Sequence, residues 1–387
     1  MTPGLAALSV EHLRLEAFRN YAELSVEFGP GLNVLSGNNG AGKTNVLEAI
    51  CLLALGRSPR MVRDSELVRH GAGGFSVQAV LAEHGSRGVT RHELRAAYQR
   101  AQGKRVQVDG QTLPRVIDLC GTLLAVYFSP DDLWMVKGGP AGRRQLLDRL
   151  LAQESPLYGD ALLRYRQALA QRNQSLRDVR ARRGGRAVLA IWEPQLVQYG
   201  AEILHRRAQA LRQLAPLVVA GYARLAPAGE ALQVLHQPGL PNAEQLGAEA
   251  GTSAWAEALE KALAGHVEAD IGSGVTGIGP HRDDLVLQLA GRALRQYGSQ
   301  GQQRSVVLAL KFAEREYLAQ QTGRLPVLLV DDVLSELDGV RRDALQERLQ
   351  GEGQVFLTTA DQSQGDKLPG AWCWRVHDGR ITASRQG

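Results

Sequence analysis

The sequence predicts an α/β nucleotide-binding fold that is divided by a helical insertion. A phosphate-binding motif at residues 37–44 lies between a strand-like run and a helix-like run, and strand-like runs resume near the other end of the chain. The middle of the chain, from Arg143 to about His266, has helical periodicity and almost no strand pattern. We therefore predict a head formed by residues 1–150 and 271–387, with a helical arm at residues 151–270.

Composition limits the class of protein. At 387 residues the chain exceeds one typical core, which favours two lobes. Cys51, Cys120 and Cys373 are isolated, so the sequence predicts neither a disulfide framework nor a cysteine zinc site. No run approaches the roughly 18 apolar residues of a membrane span, and the start does not resemble a secretory signal. We expect a cytoplasmic protein without a membrane partner, and the net charge of +5 permits a polyanionic one.

The first strands lead directly into the motif. Apolar residues recur in strand fashion over residues 10–15 and 24–28, and residues 32–35 are a short apolar run typical of a buried strand. Residues 45–53 then indicate a helix that is apolar on most of its faces. A strand, a glycine turn and a helix N-terminus in this order form a phosphate cradle.

The motif itself fits the pattern G-x-x-x-x-G-K-[ST] without a mismatch. In such a loop the glycines let backbone N–H groups face the phosphates, the lysine reaches the β- and γ-phosphates, and the hydroxyl serves Mg²⁺. The alternative is an ordinary turn between a strand and a helix. We predict a bound nucleoside triphosphate, with Lys43 catalytic and Thr44 a metal ligand. The loop residues predicted to bind it are Gly37, Asn38, Asn39, Gly40, Ala41, Gly42, Lys43 and Thr44.

Further strands are predicted after the first helix. Strand-like runs cover residues 75–81, 89–98 and 105–113, and the dipeptide Asp109-Gly110 within the last run is a strong hairpin signal. Residues 123–128 are a candidate buried strand. The N-terminal part of the head is therefore rich in β-structure.

Two helices with heptad-like apolar seams dominate the predicted insertion. One seam runs from Leu162 to Val179 and the other from Trp192 to Ala210, and each carries one arginine, Arg172 and Arg206. Gly184-Gly185 separates them, as in an antiparallel helical hairpin. A protruding coiled coil and a compact bundle are equally compatible with so few heptads.

Arginines crowd the first insertion helix and its tip. Neutralisation of phosphates by such a cluster would give salt-sensitive DNA binding without sequence specificity. A solvated helix face explains the same residues as well. The predicted DNA-binding residues are Arg164, Arg166, Arg172, Arg177, Arg180, Arg182, Arg183 and Arg186.

The C-terminal part contributes two adjacent carboxylates. Strands are predicted at residues 284–289 and 293–297, a helix at 302–320 and an apolar strand at 327–331, followed by strands at 355–358, 372–376 and 380–383. The apolar strand ends in Asp331, which is where a P-loop ATPase holds its Mg²⁺. Asp332 follows, in the position of a general base for the attacking water. A simple turn at a strand end is the alternative.

A polar string before the predicted helix is a candidate second anion site. Ser299, Gln300, Gly301 and Gln302 lie where this helix begins, and a helix N-terminus favours anions. A second anion site on one chain suggests that it serves the nucleotide of another molecule, with Ser299 catalytic there. A polar helix cap is the plainer interpretation.

With these residues placed, the chain resembles the RecF family of bacterial recombination-mediator ATPases, which is related to the SMC and ABC families. The resemblance covers both β-rich parts, whereas the helical middle carries no recognised motif. The matching segments are residues 18–21, 37–44, 128–133, 136–138, 143–144, 279–284, 298–304, 331–332 and 335–338.

The resemblance implies an ABC/SMC-type head that hydrolyses ATP slowly and sandwiches it between two subunits. It also implies binding to duplex DNA and to single-strand/double-strand junctions, RecR as a partner, and help in loading RecA at gaps. Ser299 and Gly301 would act in trans as the signature motif, and residues 335–338 would form a loop at the dimer seam, unless they only cap the next helix. Arg19 and Asn20 would lie near the base or the α-phosphate.

Two departures from the wider ABC pattern argue against fast turnover. Residues 128–131 replace the usual loop glutamine, and Thr358-Thr359 replaces the usual switch histidine. The segment His281-Arg282-Asp283-Asp284 is open to two interpretations, a metal site or, preferably, a hydrogen-bonded turn that positions the signature loop. The rival function is the ATPase subunit of a membrane transporter, and an SMC-type organiser ranks below both.

Overall fold

The computed structural model describes residues 4–225, 230–246, 249–351, 353–361, 363 and 368–385. The chain divides into two compact units. The first unit combines residues 1–133 with residues 307–387, and the second unit comprises residues 134–306. The first is called here the nucleotide-binding unit and the second the helical unit.

The described secondary structure alternates between strand-rich and helix-rich stretches along the chain. The strands are β1 (Ala6–Phe18), β2 (Tyr21–Glu27), β3 (Leu32–Ser36), β4 (Gly74–Gly85), β5 (Gly88–Gln99), β6 (Gly103–Val108), β7 (Gln111–Thr112), β8 (Ala125–Phe128), β9 (Leu232–Gln237), β10 (Asp284–Leu289), β11 (Arg292–Ala293), β12 (Arg324–Leu325), β13 (Val327–Asp331), β14 (Val355–Thr359), β15 (Trp372–His377) and β16 (Arg380–Arg385). The α-helices are α1 (Lys43–Leu55), α2 (Asp64–Leu67), α3 (Trp134–Lys137), α4 (Pro140–Glu154), α5 (Pro156–Arg180), α6 (Glu193–Ala223), α7 (Thr252–Ser273), α8 (Leu294–Tyr297), α9 (Gln300–Thr322) and α10 (Gly339–Leu349).

A seven-stranded sheet forms one layer of the nucleotide-binding unit, in the order β12-β1-β4-β5-β6-β7, with β2 paired to β1. Leu13 and Leu15 of β1 are fully buried, because alternate residues of a strand face the same side. Asp109 and Gly110 both have positive φ and join β6 to β7, which confirms the predicted hairpin.

A six-stranded sheet with the order β16-β15-β3-β14-β13-β8 forms the other layer. The strands β3, β14, β13 and β8 are parallel neighbours, so their carboxyl ends meet at one edge. Helix α1 contacts strands of both sheets, which explains why it is apolar on most faces. The fold therefore brings the end of β3 and the end of β13 together, although almost 300 residues separate them.

The helical unit contains the two long predicted helices. Helix α6 packs along both α5 and α7, and α5 also contacts α7, so the helices form a compact bundle. Arg172 is buried in the α5 seam as predicted, but in α6 the buried arginine is Arg207. Arg206, predicted in the seam, instead pairs with Glu202 on the same helix at 2.9 Å. The assignment of Arg206 was wrong because an adjacent residue lies about 100° away around a helix.

Two predicted elements differ from the structure. Strand β9 interrupts the stretch predicted to be helical, and it pairs with β10 from Leu232–Leu289 to Gln237–Asp284. The strand predicted at residues 293–297 is largely the helical turn α8, because Leu294 is fully buried and its carbonyl accepts from the Gly298 N–H. Both elements are short, and short runs show little periodicity.

The predicted arm at residues 151–270 remains a prediction, and the compact helical unit is wider than that range. Arg143 on α4 pairs with Asp284 on β10 through two hydrogen bonds of 2.7 and 2.9 Å, which joins the flanking segments to the bundle. No helix in the described part of the chain is long and apolar enough to cross a membrane.

Candidate nucleotide-binding site

The phosphate loop runs from the end of β3 into α1 and is held by Asn20. Gly42 has a φ of 114°, and a Cβ atom there would lie 2.6 Å from Nδ2 of Asn20. That nitrogen donates to the Ala41 carbonyl at 2.9 Å, and Oδ1 of Asn20 accepts from Asn45 at 2.8 Å. Asn20, predicted to lie near the nucleotide, therefore contacts the loop directly.

Gly37 allows a second close approach at the start of the loop. A Cβ atom at Gly37 would lie 2.2 Å from the carbonyl oxygen of Val376 on β15. Any larger residue would separate the loop from the neighbouring strand. The glycine is thus required by packing as well as by the phosphate-binding pattern.

The Lys43 ammonium is enclosed by this loop. Its side chain donates to the carbonyls of Gly37 at 2.6 Å and Asn38 at 3.0 Å, and the residue is only 6% exposed. Burial lowers the pKa of Lys43, while the nearby Asp332 and Asp331 carboxylates oppose that shift. The cation is held where it would meet the β- and γ-phosphates of a triphosphate.

The Asp331 carboxylate accepts hydrogen bonds from three hydroxyl groups, one on α1 and two on the neighbouring strands β14 and β8. One carboxylate oxygen accepts from Thr44 and from Thr358, both at 2.7 Å, and the other accepts from Tyr127 at 2.9 Å. A carboxylate beside a threonine hydroxyl suits Mg²⁺, which prefers oxygen ligands. Within the described residues, no group of three His, Cys, Asp or Glu side chains could hold a metal. A Mg²⁺ ion here would therefore need phosphate and water oxygens as further ligands.

Asp332 combines a left-handed backbone with a carboxylate whose pKa is raised. Its φ is 50°, in the left-handed region, and its N–H donates to the Thr358 hydroxyl at 3.0 Å. Burial raises the pKa of Asp332, Lys43 opposes this, and the Asp331 charge adds to it. A carboxylate with a raised pKa is suited to accept a proton from water. Aspartate also enters the left-handed region more readily than most residues.

Thr358 and Tyr127 belong to the hydrogen-bond network of the candidate site, and the sequence did not single them out as site residues. Thr358 was noted only as a replacement for a switch histidine, yet its hydroxyl donates to the Asp331 carboxylate and accepts from the Asp332 N–H. Tyr127 lies in the predicted strand at residues 123–128, and its position next to Asp331 depends on the pairing of β8 with β13. Only the strand order reveals these partners.

Arg19 is anchored on α1 through Glu48, another residue that the sequence did not single out. The guanidinium makes two 2.8 Å hydrogen bonds to the Glu48 carboxylate, which is fully buried. Ser58 donates to the same carboxylate at 2.5 Å. The side chain of Arg19 remains 20% exposed. Its predicted role beside the base or α-phosphate stays a prediction.

Ser299 lies in the helical unit, at the N-terminus of α9. Its hydroxyl accepts from the Gln302 N–H at 3.2 Å, and the Gln302 side chain accepts from the Ser299 N–H at 2.7 Å. This reciprocal pair is a capping box. Ser299 and Gln300 are nevertheless exposed, and Gly301 is partly exposed. The segment is therefore both a helix cap and an accessible helix N-terminus.

The segment after Asp332 also caps a helix. The Asp338 side chain accepts from the Arg341 N–H at 3.1 Å at the start of α10, and the Ser335 hydroxyl donates to the Asp332 carbonyl at 2.9 Å. The plain cap interpretation of residues 335–338 is thus correct, and their contact with a second subunit stays a prediction.

The segment His281 to Asp284 is a hydrogen-bonded turn. His281 contacts the Tyr165 hydroxyl at 2.6 Å and the Thr276 carbonyl at 2.9 Å, so one ring nitrogen accepts while the other donates. Asp283 accepts from Arg207 at 2.8 Å. Burial lowers the pKa of His281 to about 4, which keeps the ring neutral. This arrangement fits the turn interpretation and not a metal site.

The predicted DNA-binding arginines separate into one buried and several exposed residues. Arg172 is 0% exposed and pairs with Asp270 at 2.7 Å, so it cannot reach a DNA phosphate, and its prediction is corrected. The other arginines are exposed, and several contact carboxylates on the surface, as Arg164 does with Asp160 and Arg183 with Asp178. The remaining exposed members are Arg166, Arg177, Arg180, Arg182 and Arg186.

Comparison with known proteins agrees with this geometry. Residues 9–371 match the family model described as RecF/RecN/SMC N terminal domain. The DNA replication and repair protein RecF of Moorella thermoacetica is 42% identical over 99% of this chain and 97% of its own length. The protein of the same name from Heliobacterium modesticaldum is 39% identical over 98% of this chain and 100% of its length.

Solved structures show the same fold. A structure described as the recombination mediator protein RecF-ATP in the RecFOR pathway has a TM-score of 0.89 at 30% identity, covering 100% of both chains. An Smc head domain from Pyrococcus furiosus has a TM-score of 0.54 at 18% identity, covering 97% of this chain and 96% of the other, which concerns the fold alone. The predicted fold class is therefore confirmed. With its phosphate loop, its paired carboxylates and its relatives along the whole length, this chain belongs to the RecF family of SMC-like ATPases.

Proposed function

We propose that the chain is an ATP-dependent, DNA-binding recombination mediator that dimerises on ATP and acts at single-strand gaps and single-strand/double-strand junctions. The observation that carries the proposal is the contact of Thr44 with Asp331 across the parallel sheet, beside an enclosed Lys43. The RecF relatives named for DNA replication and repair, and the RecF-ATP structure, support the same function. A transporter subunit has no comparable support.

Each residue of the site has a defined task in the proposed hydrolysis. Lys43 binds the β- and γ-phosphates, and Thr44 and Asp331 are positioned to hold Mg²⁺. Mg²⁺ supplies neutralisation of charge on the phosphate oxygens. Asp332 orients the attacking water and accepts its proton, because its pKa is raised by burial. Ser299 and Gly301 of a second copy would bind the γ-phosphate through an exposed helix N-terminus.

We propose that hydrolysis is slow and stimulated by DNA. Thr358-Thr359 replaces the switch histidine, and the Thr358 hydroxyl already donates to the Asp331 carboxylate at 2.7 Å and accepts from the Asp332 N–H at 3.0 Å. A threonine cannot take up and release a proton near neutral pH as histidine does. ATP would then serve as a switch between monomer and dimer.

The DNA would meet the exposed arginines of α5 and its tip. Their surface ion pairs do not exclude this role, since exposed ion pairs contribute only about 0–1 kcal/mol and a phosphate can replace the carboxylate. Contacts to phosphates give no sequence specificity. RecR as a partner and help in RecA loading follow from the family resemblance.

The test is sedimentation of the full chain with and without ATP. Wild type should become dimeric with ATP, whereas Lys43→Met and Ser299→Arg should remain monomeric. Matched controls are Lys261→Met and Ser253→Arg, two exposed positions on α7 of the helical unit, and these should dimerise like wild type. A wild-type chain that stays monomeric with ATP would refute the proposal.

DNA binding is tested separately with duplex, single-stranded and gapped probes at two salt concentrations. Binding should require ATP, weaken at the higher salt concentration and favour probes that contain a junction. Equal binding with and without ATP would contradict the link between dimerisation and DNA.

A further inference from the structure

A cavity of about 220 Å³ lies within the helical unit, between α4, α5, α6 and the turn at Pro280 and His281. A water molecule needs only about 10–15 Å³ of such space, so the cavity has room for a polyatomic ion. It is called here the arginine pocket, because three of the four charged side chains that line it are arginines. The charged residues of its lining are Arg144, Asp148, Arg166 and Arg207.

We propose that the arginine pocket binds a phosphate group, with Arg144 as its main partner. The inference goes beyond the proposed function, because phosphate binding here requires neither ATP in the phosphate loop nor a second copy of the chain. Two sources can supply the group, inorganic phosphate in solution and the terminal phosphate of a DNA strand. A phosphate inside a DNA strand is flanked by nucleotides on both sides and does not enter a pocket in this way.

Arg144 on α4 is the unpaired cation of the pocket. Its guanidinium donates to the main-chain carbonyl of Asp283 at 2.6 Å, and within the described residues it makes no ion pair. Arg144 is half-buried. Burial lowers the pKa of Arg144 and the charge of Arg207 adds to that shift, while three aspartates oppose it. Buried charges are normally paired, so a half-buried guanidinium beside a second cation lacks an anion.

The nearby carboxylates are already engaged with other donors. Asp148 accepts from Arg207 at 2.7 Å and from Arg166 at 2.9 Å. Asp283 also accepts from Arg207, at 2.8 Å, and Asp284 accepts two hydrogen bonds from another arginine of α4. These side chains therefore do not neutralise Arg144 by direct contact, and an anion from outside would complete the pairing.

The positions of the donors favour phosphate over a carboxylate. Arg144 lies on α4 and Arg166 on α5, so two helices present guanidinium groups to the same space. The Arg166 side chain is 50% exposed, and Asp148 keeps Arg207 as a partner when Arg166 turns toward an anion. The oxygens of a phosphate point in tetrahedral directions and can accept from both helices, whereas the two oxygens of a carboxylate lie in one plane. Guanidinium groups pair well with phosphate oxygens.

The rest of the lining strengthens such an ion pair. Leu162 is 9% exposed and Ile203 is fully buried, and both line the pocket. His281 lines it as well, and its pKa of about 4 leaves the ring uncharged near neutral pH. Apolar walls exclude water, and the attraction between opposite charges is larger where water is excluded.

The experiment is equilibrium dialysis of radiolabelled inorganic phosphate against the full chain carrying Lys43→Met, a substitution that removes phosphate binding at the phosphate loop. One phosphate should bind per chain. Ala141 is exposed and lines the pocket one helical turn before Arg144, so the carboxylate of Ala141→Glu can pair with Arg144. Added to Lys43→Met, this substitution should weaken phosphate binding at least about 10-fold. The matched control is Ala141→Gln, which has the same size without the charge and should bind phosphate nearly as the parent does.

A second variant removes the cation itself. Arg144→Gln should weaken phosphate binding to a similar degree, with circular dichroism as the check that the chain is folded. Its matched control is Arg149→Gln, a half-buried arginine of the same helix that does not line the pocket. If the parent binds phosphate and both pocket variants bind it equally well, the phosphate lies elsewhere and the inference fails.

The source of the phosphate is identified with a DNA duplex that carries either a terminal phosphate or a terminal hydroxyl. With Lys43 present and ATP added, a terminal phosphate should tighten binding several-fold in fluorescence anisotropy, and Ala141→Glu but not Ala141→Gln should remove that gain. Phosphate binding in dialysis without such a gain identifies free phosphate as the ligand. If neither inorganic phosphate nor the terminal phosphate has an effect, the inference fails and the proposed function stands. If ATP drives neither dimerisation nor DNA binding, the proposed function fails, and dialysis still decides the inference.

Discussion

The two units of the molecule use charged residues in opposite ways. In the nucleotide-binding unit Lys43, Asp331 and Asp332 are only partly neutralised by one another and are arranged for a ligand. In the helical unit Arg207, only 2% exposed, pairs with Asp148 at 2.7 Å and with Asp283 at 2.8 Å, and its remaining donors are also satisfied. Under the proposed function the first group binds the substrate, whereas the second group is part of the core of the helical unit.

This difference explains the contrasting pKa values. Burial raises the pKa of Asp332, and Lys43 only partly opposes the shift. Asp283 is more deeply buried, yet its pKa is lowered, because His236, Arg207 and the Gly239 N–H stabilise its charged form despite burial. Burial alone therefore does not identify a functional carboxylate. What distinguishes Asp332 is burial without a complete set of donors.

The largest effect is expected from Asp332→Asn. The substitution keeps a side chain that tolerates the positive φ of 50° but removes the proton acceptor. Hydrolysis should fall about 10²- to 10⁴-fold, while ATP binding and dimerisation persist. Steady-state phosphate release measures hydrolysis, and sedimentation measures dimerisation.

The control is Asp378→Asn, another aspartate with positive φ, 46°, in the exposed turn between β15 and β16. It should hydrolyse ATP like wild type. If Asp332→Asn hydrolyses ATP at the wild-type rate, Asp332 is not the general base, and the contrast between the charged residues of the two units does not hold.

Removal of Arg207 tests the other side of the comparison. Arg207→Ala leaves the buried Asp148 and Asp283 carboxylates without their main partner, so the free energy of unfolding should fall by about 3–5 kcal/mol. This free energy of unfolding is measured by chemical denaturation monitored with circular dichroism. Its neighbour Arg206, half-buried and paired with Glu202, is the matched control, and Arg206→Ala should cost about 1 kcal/mol or less. Equal losses would show that the buried network does not stabilise the helical unit.

The stability of the helical unit depends on pH through His281. Its folded pKa is about 4 against an ordinary 6.5, so the unfolded chain binds an extra proton between those values. Stability is therefore complete above the ordinary pKa and is lost as the pH falls, by about 2 kcal/mol from near pH 7.5 to near pH 5.

His281→Gln should lose less stability over that pH interval than wild type, although it is less stable at neutral pH. Thermal unfolding at both pH values gives the comparison, and His70→Gln, at an exposed position, should leave the pH dependence unaltered. The same acid sensitivity in His281→Gln and wild type would assign the effect to other groups.

The smallest effect concerns DNA. Arg177→Ala should weaken binding several-fold and reduce the slope of log affinity against log salt by about 1, because one phosphate contact is lost. Arg172→Ala should instead destabilise the fold, since Arg172 is fully buried beside Asp270. Fluorescence anisotropy at several salt concentrations distinguishes Arg177→Ala, which should change the salt slope, from Arg172→Ala. If Arg177→Ala leaves the slope of log affinity against log salt unchanged, the DNA does not bind at α5.

Sequence reasoning succeeded where a function depends on contiguous residues. The phosphate loop, the hairpin at Asp109-Gly110 and the apolar strand before Asp331 were all predicted, because each has a local pattern. It did not find Tyr127, Glu48 or the true roles of Arg207 and Arg206, because these depend on neighbours distant in the chain. A one-residue error in a helical seam was enough to exchange the buried Arg207 for the half-buried Arg206.

The sequence by itself determined that a triphosphate cradle exists, where its strand and helix lie, and which carboxylates end the opposing strand. Backbone conformation near glycine and the periodicity of apolar residues are local properties, so they can be predicted from the sequence alone. Only the tertiary structure decided that the Thr358 hydroxyl links the Asp331 carboxylate to the Asp332 N–H, and that Arg172 is buried and cannot reach DNA. The reason is that burial and hydrogen bonding depend on distance in space, which strand order and helix packing set across hundreds of residues.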